Sequence, residues 1–142
     1  MKPSYTFLEH TADVLFQAEA PTLPELFEQC ALAVEDTQVD VKTVEPLQEV
    51  TITGKNNTIE RLLFDFIDDL IFYKDADLLV FSKFDIEIEE KYQEFYLTCK
   101  AYGEQVDHTK HDPKVDVKAV TMHLFEVAKV KEGWTAKVLL DI

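Results

Sequence analysis

Glycine is scarce here, with 3 in 142 residues. Phosphate-cradling loops and dinucleotide fingerprints need several glycines close together, so that backbone can approach the phosphates. Neither can be built from this chain, and the G-x-S-x-G nucleophile elbow is also missing. Cysteine is rarer still, with 2. Cys30 and Cys99 form no C-x-x-C pair, which excludes thiolate zinc and thioredoxin-type chemistry. Basic charge is short too: 14 lysines and arginines stand against 28 acids, a net charge of −14, and Arg61 is the one arginine. Nucleic-acid binders displace counterions with clustered bases, so direct, tight RNA or DNA binding is not expected. An acidic surface suits hard cations and basic protein partners. No apolar run approaches the roughly 20 residues of a membrane helix. The opening "MKPSYTFLEH" lacks the apolar centre of a signal peptide. A cytoplasmic protein without membrane contact is the expectation.

Hydrophobic residues make up 46% of the chain and are patterned. "SYTFLE" and "DVLFQAEA" read as strands around a short loop. "PTLPELFEQCALAVED" reads as a helix, with Thr22 and Glu25 forming a capping box. Its buried stripe is Leu23, Leu26, Phe27, Cys30, Ala31 and Val34. "LQEVTITG" reads as a strand closed by Gly54. A second helix is predicted from about Thr58 to Tyr73, capped by Asn57 with Glu60 as box partner. It should be mostly covered, Phe64, Ile71 and Phe72 adding to its apolar face. Asp65, Asp68 and Asp69 read as its solvated side. The remainder is β-rich: a hairpin from "LLVFSKFDIEIEEK" and "YQEFYLTCKAYG", a polar loop, then "VKAVTMHLFEVAKV" and "WTAKVLLDI". Strands, helices, then a run of strands predict an α+β fold over residues 1–142, with two helices packed on a largely antiparallel sheet.

Several side chains could carry chemistry. His108 and His111, beside Asp107 and Asp112, are a weak transition-metal pattern. His123, mid-strand, reads as a hydrogen-bonded structural histidine. Asp13 at a strand start and Asp141 at a strand end offer the carboxylate oxygens that hard cations prefer. Alternation puts Asp141 on the more polar face of the last strand, beside the final carboxylate. Only the fold can bring Asp13 and Asp141 together, by making the first and last strands neighbours.

Five segments occur in a telling order: "EHTADV", "AYGE" at 101–104, "VKAVTMH" at 117–123, "GW" at 133–134 and "LLDI". From Phe7 to Ile142 the chain resembles the archease family, and "TIERLLFDFIDDLIFYKD" resembles that family's second helix. The resemblance implies a small cytoplasmic activator of the RtcB-type RNA ligase, which joins RNA ends in tRNA splicing and repair. Such activators promote guanylylation and multiple turnover of the ligase and have no ligase activity themselves. It also implies a metal site from Asp13, Asp141 and Ile142, holding a divalent cation, calcium first and Mg²⁺ or Mn²⁺ as alternatives. Lys118, His10 and His111 are further expected contributors to ligase activation, with His10 holding its turn by hydrogen bonding. Met122 stands where the family usually has an aromatic residue. The competing readings are a metal-dependent hydrolase using the same carboxylates and a general chaperone or modulator.

Overall fold

The computed structural model describes residues 1–142. The elements run β1 (Ser4–Leu8), β2 (Val14–Ala20), α1 (Leu23–Gln38), a 3₁₀ turn (Val41–Thr43), β3 (Gln48–Asn56), α2 (Ile59–Asp77), β4 (Leu79–Lys91), β5 (Glu94–Gln105), β6 (Ala119–Val130) and β7 (Gly133–Asp141). This is the expected α+β fold. Its strands form two sheets, ordered β1-β2-β7-β6 and β3-β5-β4, and every pairing is antiparallel. Short connections make hairpins of β1–β2, β4–β5 and β6–β7, which must run antiparallel; β2–β7 and β3–β5 are the long-range pairings that complete the sheets.

Both helices touch both sheets and bury their apolar faces in one core cluster of 29 residues. In α1, Leu26, Phe27, Cys30, Ala31 and Val34 are buried as their spacing requires. The Thr22 hydroxyl accepts the Glu25 N–H at 3.3 Å, the first half of a capping box, and donates to the Glu25 carboxylate at 2.8 Å, so that carboxylate meets the hydroxyl rather than the Thr22 N–H. Phe27 of α1 stacks on Phe66 of α2, with ring centroids 5.9 Å apart. Burial pushes both thiols up: Cys30, and Cys99 to about 12 with help from Asp85 and Glu28.

Four local expectations are corrected. Thr58, not Asn57, caps α2, because its backbone is extended and its hydroxyl accepts the Arg61 N–H at 3.2 Å. The helix continues to Asp77, since no glycine or proline intervenes; Leu78 ends it in a left-handed conformation, φ 57°. Phe72 lies on the open side of α2 and is 61% exposed. Gly54 does not close β3; the strand passes through it to Asn56.

Gly103 and Gly133 are required by close backbone approach. A Cβ on Gly103 would lie 1.8 Å from the Val80 carbonyl oxygen, and one on Gly133 would lie 2.3 Å from that of Ala20. Gly103 pairs with Phe81 beside a bulge between Phe81 and Lys83. There the buried Glu35 carboxylate accepts the Phe81 N–H at 3.3 Å. Burial pushes the Glu35 carboxyl up to about 8, against the opposing pull of the Phe81 N–H and Lys74.

Candidate functional site

Three strand ends meet at one corner of the four-stranded sheet. In the β2–β7 ladder Val14 pairs with Leu140 and Leu15 with Leu139. The ladder ends there, one residue short of Asp13 on the β2 side and of Asp141 on the β7 side, so the two aspartates flank the same end of the pair. On the other side of β7, Ala119 pairs with Asp141, and the Lys118 N–H bonds the Asp141 carbonyl oxygen at 2.8 Å. The fold therefore brings Asp13, Lys118 and Asp141 together from three separated stretches of chain, with Ile142 following directly. The first and last long strands are neighbours, which sequence spacing alone could not establish.

The corner stands on an apolar base. Leu15 and Leu139, two residues from the aspartates on the same face, are 8% and 2% exposed. Apolar matter beneath carboxylates lowers the local dielectric, and two like charges set opposite each other then repel more strongly. A cation or ammonium relieves that repulsion. Lys118 is exposed on the neighbouring strand end, but alternation from Ala119, the partner of Asp141, directs its side chain to the opposite face, so its link to the corner is the main-chain bond to Asp141.

The loop before Asp13 is held in an unusual shape. Ala12 has φ 70°, a left-handed backbone that costs a residue with a Cβ about 1–2 kcal/mol. Antiparallel pairing of Leu8 with Leu15 fixes both ends of the loop and imposes that turn. His10 Nδ1 lies 4.0 Å from Asp13 Oδ2, and the two side chains are 29% and 31% exposed. That is an ion-pair distance once the ring is protonated, beyond hydrogen-bond reach. The expected hydrogen bond from His10 across its turn is therefore not formed.

The other expected site residues lie apart from this corner. His111 is fully buried. Its Nδ1 accepts the Asp107 N–H at 2.8 Å and its Nε2 faces Glu104 Oε2 at 3.0 Å, so both ring nitrogens are committed. It is not an accessible partner for His108 in a metal patch. Glu104 also bonds Lys110 at 2.9 Å and the Glu45 N–H at 2.7 Å. Desolvation would raise the Glu104 carboxyl, but the Glu45 N–H, Lys110 and His111 outweigh it and hold it down at about 2. This buried group was missed in the sequence, although "AYGE" contains its centre. His123 is exposed, with its N–H on the Thr121 hydroxyl at 3.1 Å. The β6–β7 register shifts between Thr121 and Glu126, which throws Met122, His123 and Leu124 outward, Leu124 at φ 61°. The reading of His123 as a hydrogen-bonded structural histidine fails at that bulge, where the ring is exposed and the bond is made by the main-chain N–H.

No group of three or more His, Cys, Asp or Glu side chains is arranged to hold a metal ion. Asp13 and Asp141 carry hard oxygen donors of the kind Ca²⁺, Mg²⁺ and Mn²⁺ accept, with Ile142 next in the chain. No helix is long and apolar enough to cross a membrane.

Comparison with known proteins bears on the same stretch of chain. The model of the Archease protein family matches residues 5–142. Protein archease of Pyrococcus furiosus is 39% identical over 135 residues, covering 94% of this chain and 95% of that protein. Protein archease of Methanosarcina barkeri is 35% identical over 139 residues, covering 97% and 95%. The solution structure of protein 1598 of Methanobacterium thermoautotrophicum superposes with a TM-score of 0.86 at 34% identity, covering 97% and 98%. The crystal structure of an archease and possible chaperone from Thermotoga maritima shares the fold at a TM-score of 0.62 and 18% identity, covering 95% and 94%. With its α+β fold, its "HTAD" corner and this agreement over nearly its whole length, the chain belongs to the archease family.

Proposed function

We propose that this chain is a non-catalytic, cytoplasmic activator of an RtcB-type RNA ligase, and that the Asp13–Asp141–Lys118 corner is its working end. The observation that carries the reading is the convergence of those three residues on adjacent strand ends. Nothing local in the sequence requires it, and Ala12 is held in a strained conformation to make the loop beside it. The net charge of −14 makes the chain a poor RNA binder and a good complement to a basic, RNA-binding enzyme.

In this reading Asp13, Asp141 and the Ile142 main-chain oxygen hold a divalent cation, calcium first, with Mg²⁺ or Mn²⁺ as alternatives. A cation held there would offset the charge of the two carboxylates and supply a Lewis-acid centre for a phosphate oxygen. Lys118 adds a point charge that can meet a phosphate or a partner carboxylate. The apolar pair Leu15 and Leu139 keeps the base of the corner dry and strengthens each of these electrostatic contacts.

Multiple-turnover RNA joining by a matched ligase, with and without this chain, tests the proposal. Turnover and ligase guanylylation are expected to rise when the chain is added, and the chain alone is expected to join or hydrolyse nothing. Equal turnover in both arms contradicts the activator, and hydrolysis of nucleotide or RNA by the chain alone favours the hydrolase reading. Melting with Ca²⁺ and with chelator separates the metal from the rest. Ca²⁺ is expected to raise the melting temperature of the wild type and not of Asp13→Asn.

A further inference from the structure

Four strands form the edges of the two sheets: β1 and β6 in one, β3 and β4 in the other. A sheet edge carries unpaired N–H and C=O groups, which are a template for another strand. Three of these edges are blunted. β1 is five residues long and follows Pro3. β6 loses its register between Thr121 and Glu126. β4 shifts between Phe81 and Lys83 and then runs on through Asp85, Glu87, Glu89 and Glu90.

β3 has none of these protections. Its nine residues keep an unbroken register against β5 from Gln48 to Asn56. It contains no proline, and its centre, Val50-Thr51-Ile52-Thr53, is uncharged and β-branched throughout. Besides β5, the one element it touches is α2, which lies on its inner face. There the Asn56 amide donates to Asp65 at 3.1 Å, and a Cβ on Gly54 would meet Leu62 at 3.4 Å. Alternation puts Asn56 and Gly54 on the same face as buried Ile52. No strand or helix covers the lateral edge.

The sequence of β3 identifies the strand that fits it. Its charged residues are Glu49 and Lys55, opposite in sign and equidistant from Ile52, the central residue. A second β3, laid antiparallel about a two-fold axis through Ile52, pairs along the whole strand. Glu49 then faces Lys55 of the copy, Thr51 faces Thr53, Gln48 faces Asn56 and Val50 faces Gly54. Each pair joins residues of the same sheet face, so no side chain changes sides. Opposite charges and threonine pairs set directly across an antiparallel ladder are stabilising. Glu49, Thr51, Thr53 and Lys55 are all exposed. Lys55 already meets Glu94 at 3.5 Å, but that contact is solvated and holds it weakly.

We propose that this edge pairs with β3 of a second copy, joining two three-stranded sheets into one of six. The pairing uses none of the corner's residues and is independent of the ligase reading. A single strand pair is a small interface, and two chains of net charge −14 repel each other. Asp65 and Asp68, exposed on α2, add to that repulsion. The dimer is therefore weak and forms at about 0.1 mM and above.

The test is sedimentation equilibrium of the full-length chain from about 10 µM to about 1 mM in about 0.15 M salt, with amide hydrogen exchange read at both ends of the range. The wild type is expected to pass from monomer to dimer, and β3 amides to gain protection as it does. Glu49→Lys sets lysine against Lys55 twice in each dimer. It should weaken association about tenfold or more, although it brings the net charge nearer zero. Lys55→Glu should weaken it similarly. Glu49→Lys combined with Lys55→Glu restores opposite pairs at an unchanged net charge and should recover wild-type association. Melting curves establish that each variant folds. Four results would each overturn the proposal: the wild type stays monomeric throughout; Glu49→Lys associates as well as the wild type; the folded double variant stays as weak as the single ones; or the protected amides fall on β1, β4 or β6 and not on β3.

Discussion

His10 and His111 each stand beside a carboxylate, yet the two groups differ in almost every other respect. His111 is buried, both of its ring nitrogens are engaged, and Glu104 gathers Lys110 and a backbone N–H as well. His10 is partly exposed, 4.0 Å from Asp13, on a loop whose Ala12 is left-handed. The difference separates structural from available chemistry. A polar group whose partners all lie within its own chain has its bonding capacity used up, and it stabilises the fold. A group of carboxylates left facing one another at a sheet corner has capacity for a ligand from outside. Residue type alone puts both histidines on one list of candidates; partner count divides them.

The comparison breaks hardest at Gly103, beside Glu104. Gly103→Ala drives a Cβ to 1.8 Å from the Val80 carbonyl oxygen and 2.7 Å from the Phe81 Cα. Backbone against backbone cannot yield cheaply, and a loss of about 4 kcal/mol or more is expected in urea unfolding. His111→Ala comes next. It empties a buried site and strands the Asp107 N–H, while Glu104 keeps Lys110 and the Glu45 N–H, so about 3 kcal/mol should be lost in the same measurement.

Glu35 sharpens the buried side through pH. Its carboxyl is raised to about 8 in the fold, from an unfolded value of 4.5. The protonated acid is therefore favoured by folding. Its contribution is fully present below the unfolded value and is lost as pH rises through about 8, at about 1.4 kcal/mol per pH unit in between. Glu35→Gln should remove that slope, measured as melting temperature against pH. Glu104 runs the other way: held down at about 2, it contributes above 4.5, and the contribution fades as pH falls towards about 2. The smallest effect belongs to the corner. His10→Ala should cost less than about 0.5 kcal/mol, because a partly exposed contact at ion-pair distance contributes little.

Much of the fold was legible because its signals are local. The Thr22–Glu25 box, the apolar stripe of α1 and the alternation of β4 and β5 each depend on a few neighbouring residues. What misled was also local. Thr58 and Asn57 are both good caps, and backbone geometry decides between them. A bulge that adds residues to one strand, as at Met122–Leu124, leaves no mark in an alternating sequence. At the candidate site, Asp13 and Asp141 could be singled out as carboxylates at strand ends, but their pairing is a property of β2–β7 register. Glu35 and Gln38 were missed because acids and amides on a helix read as its wet side. Their i, i+3 spacing in line with Ala31 was the available signal that both are buried.

The central claim is that the corner, not the buried histidine group, is the working end, and ligase activation by folded corner variants tests it most directly. Asp13→Asn, Asp141→Asn and Lys118→Ala are added singly to a matched RtcB-type ligase at equal concentration, after melting curves establish that each folds as the wild type does. The expected result is that the wild type raises multiple-turnover RNA joining while each variant loses about tenfold or more of that gain. Activation by all three variants equal to that of the wild type would contradict the claim.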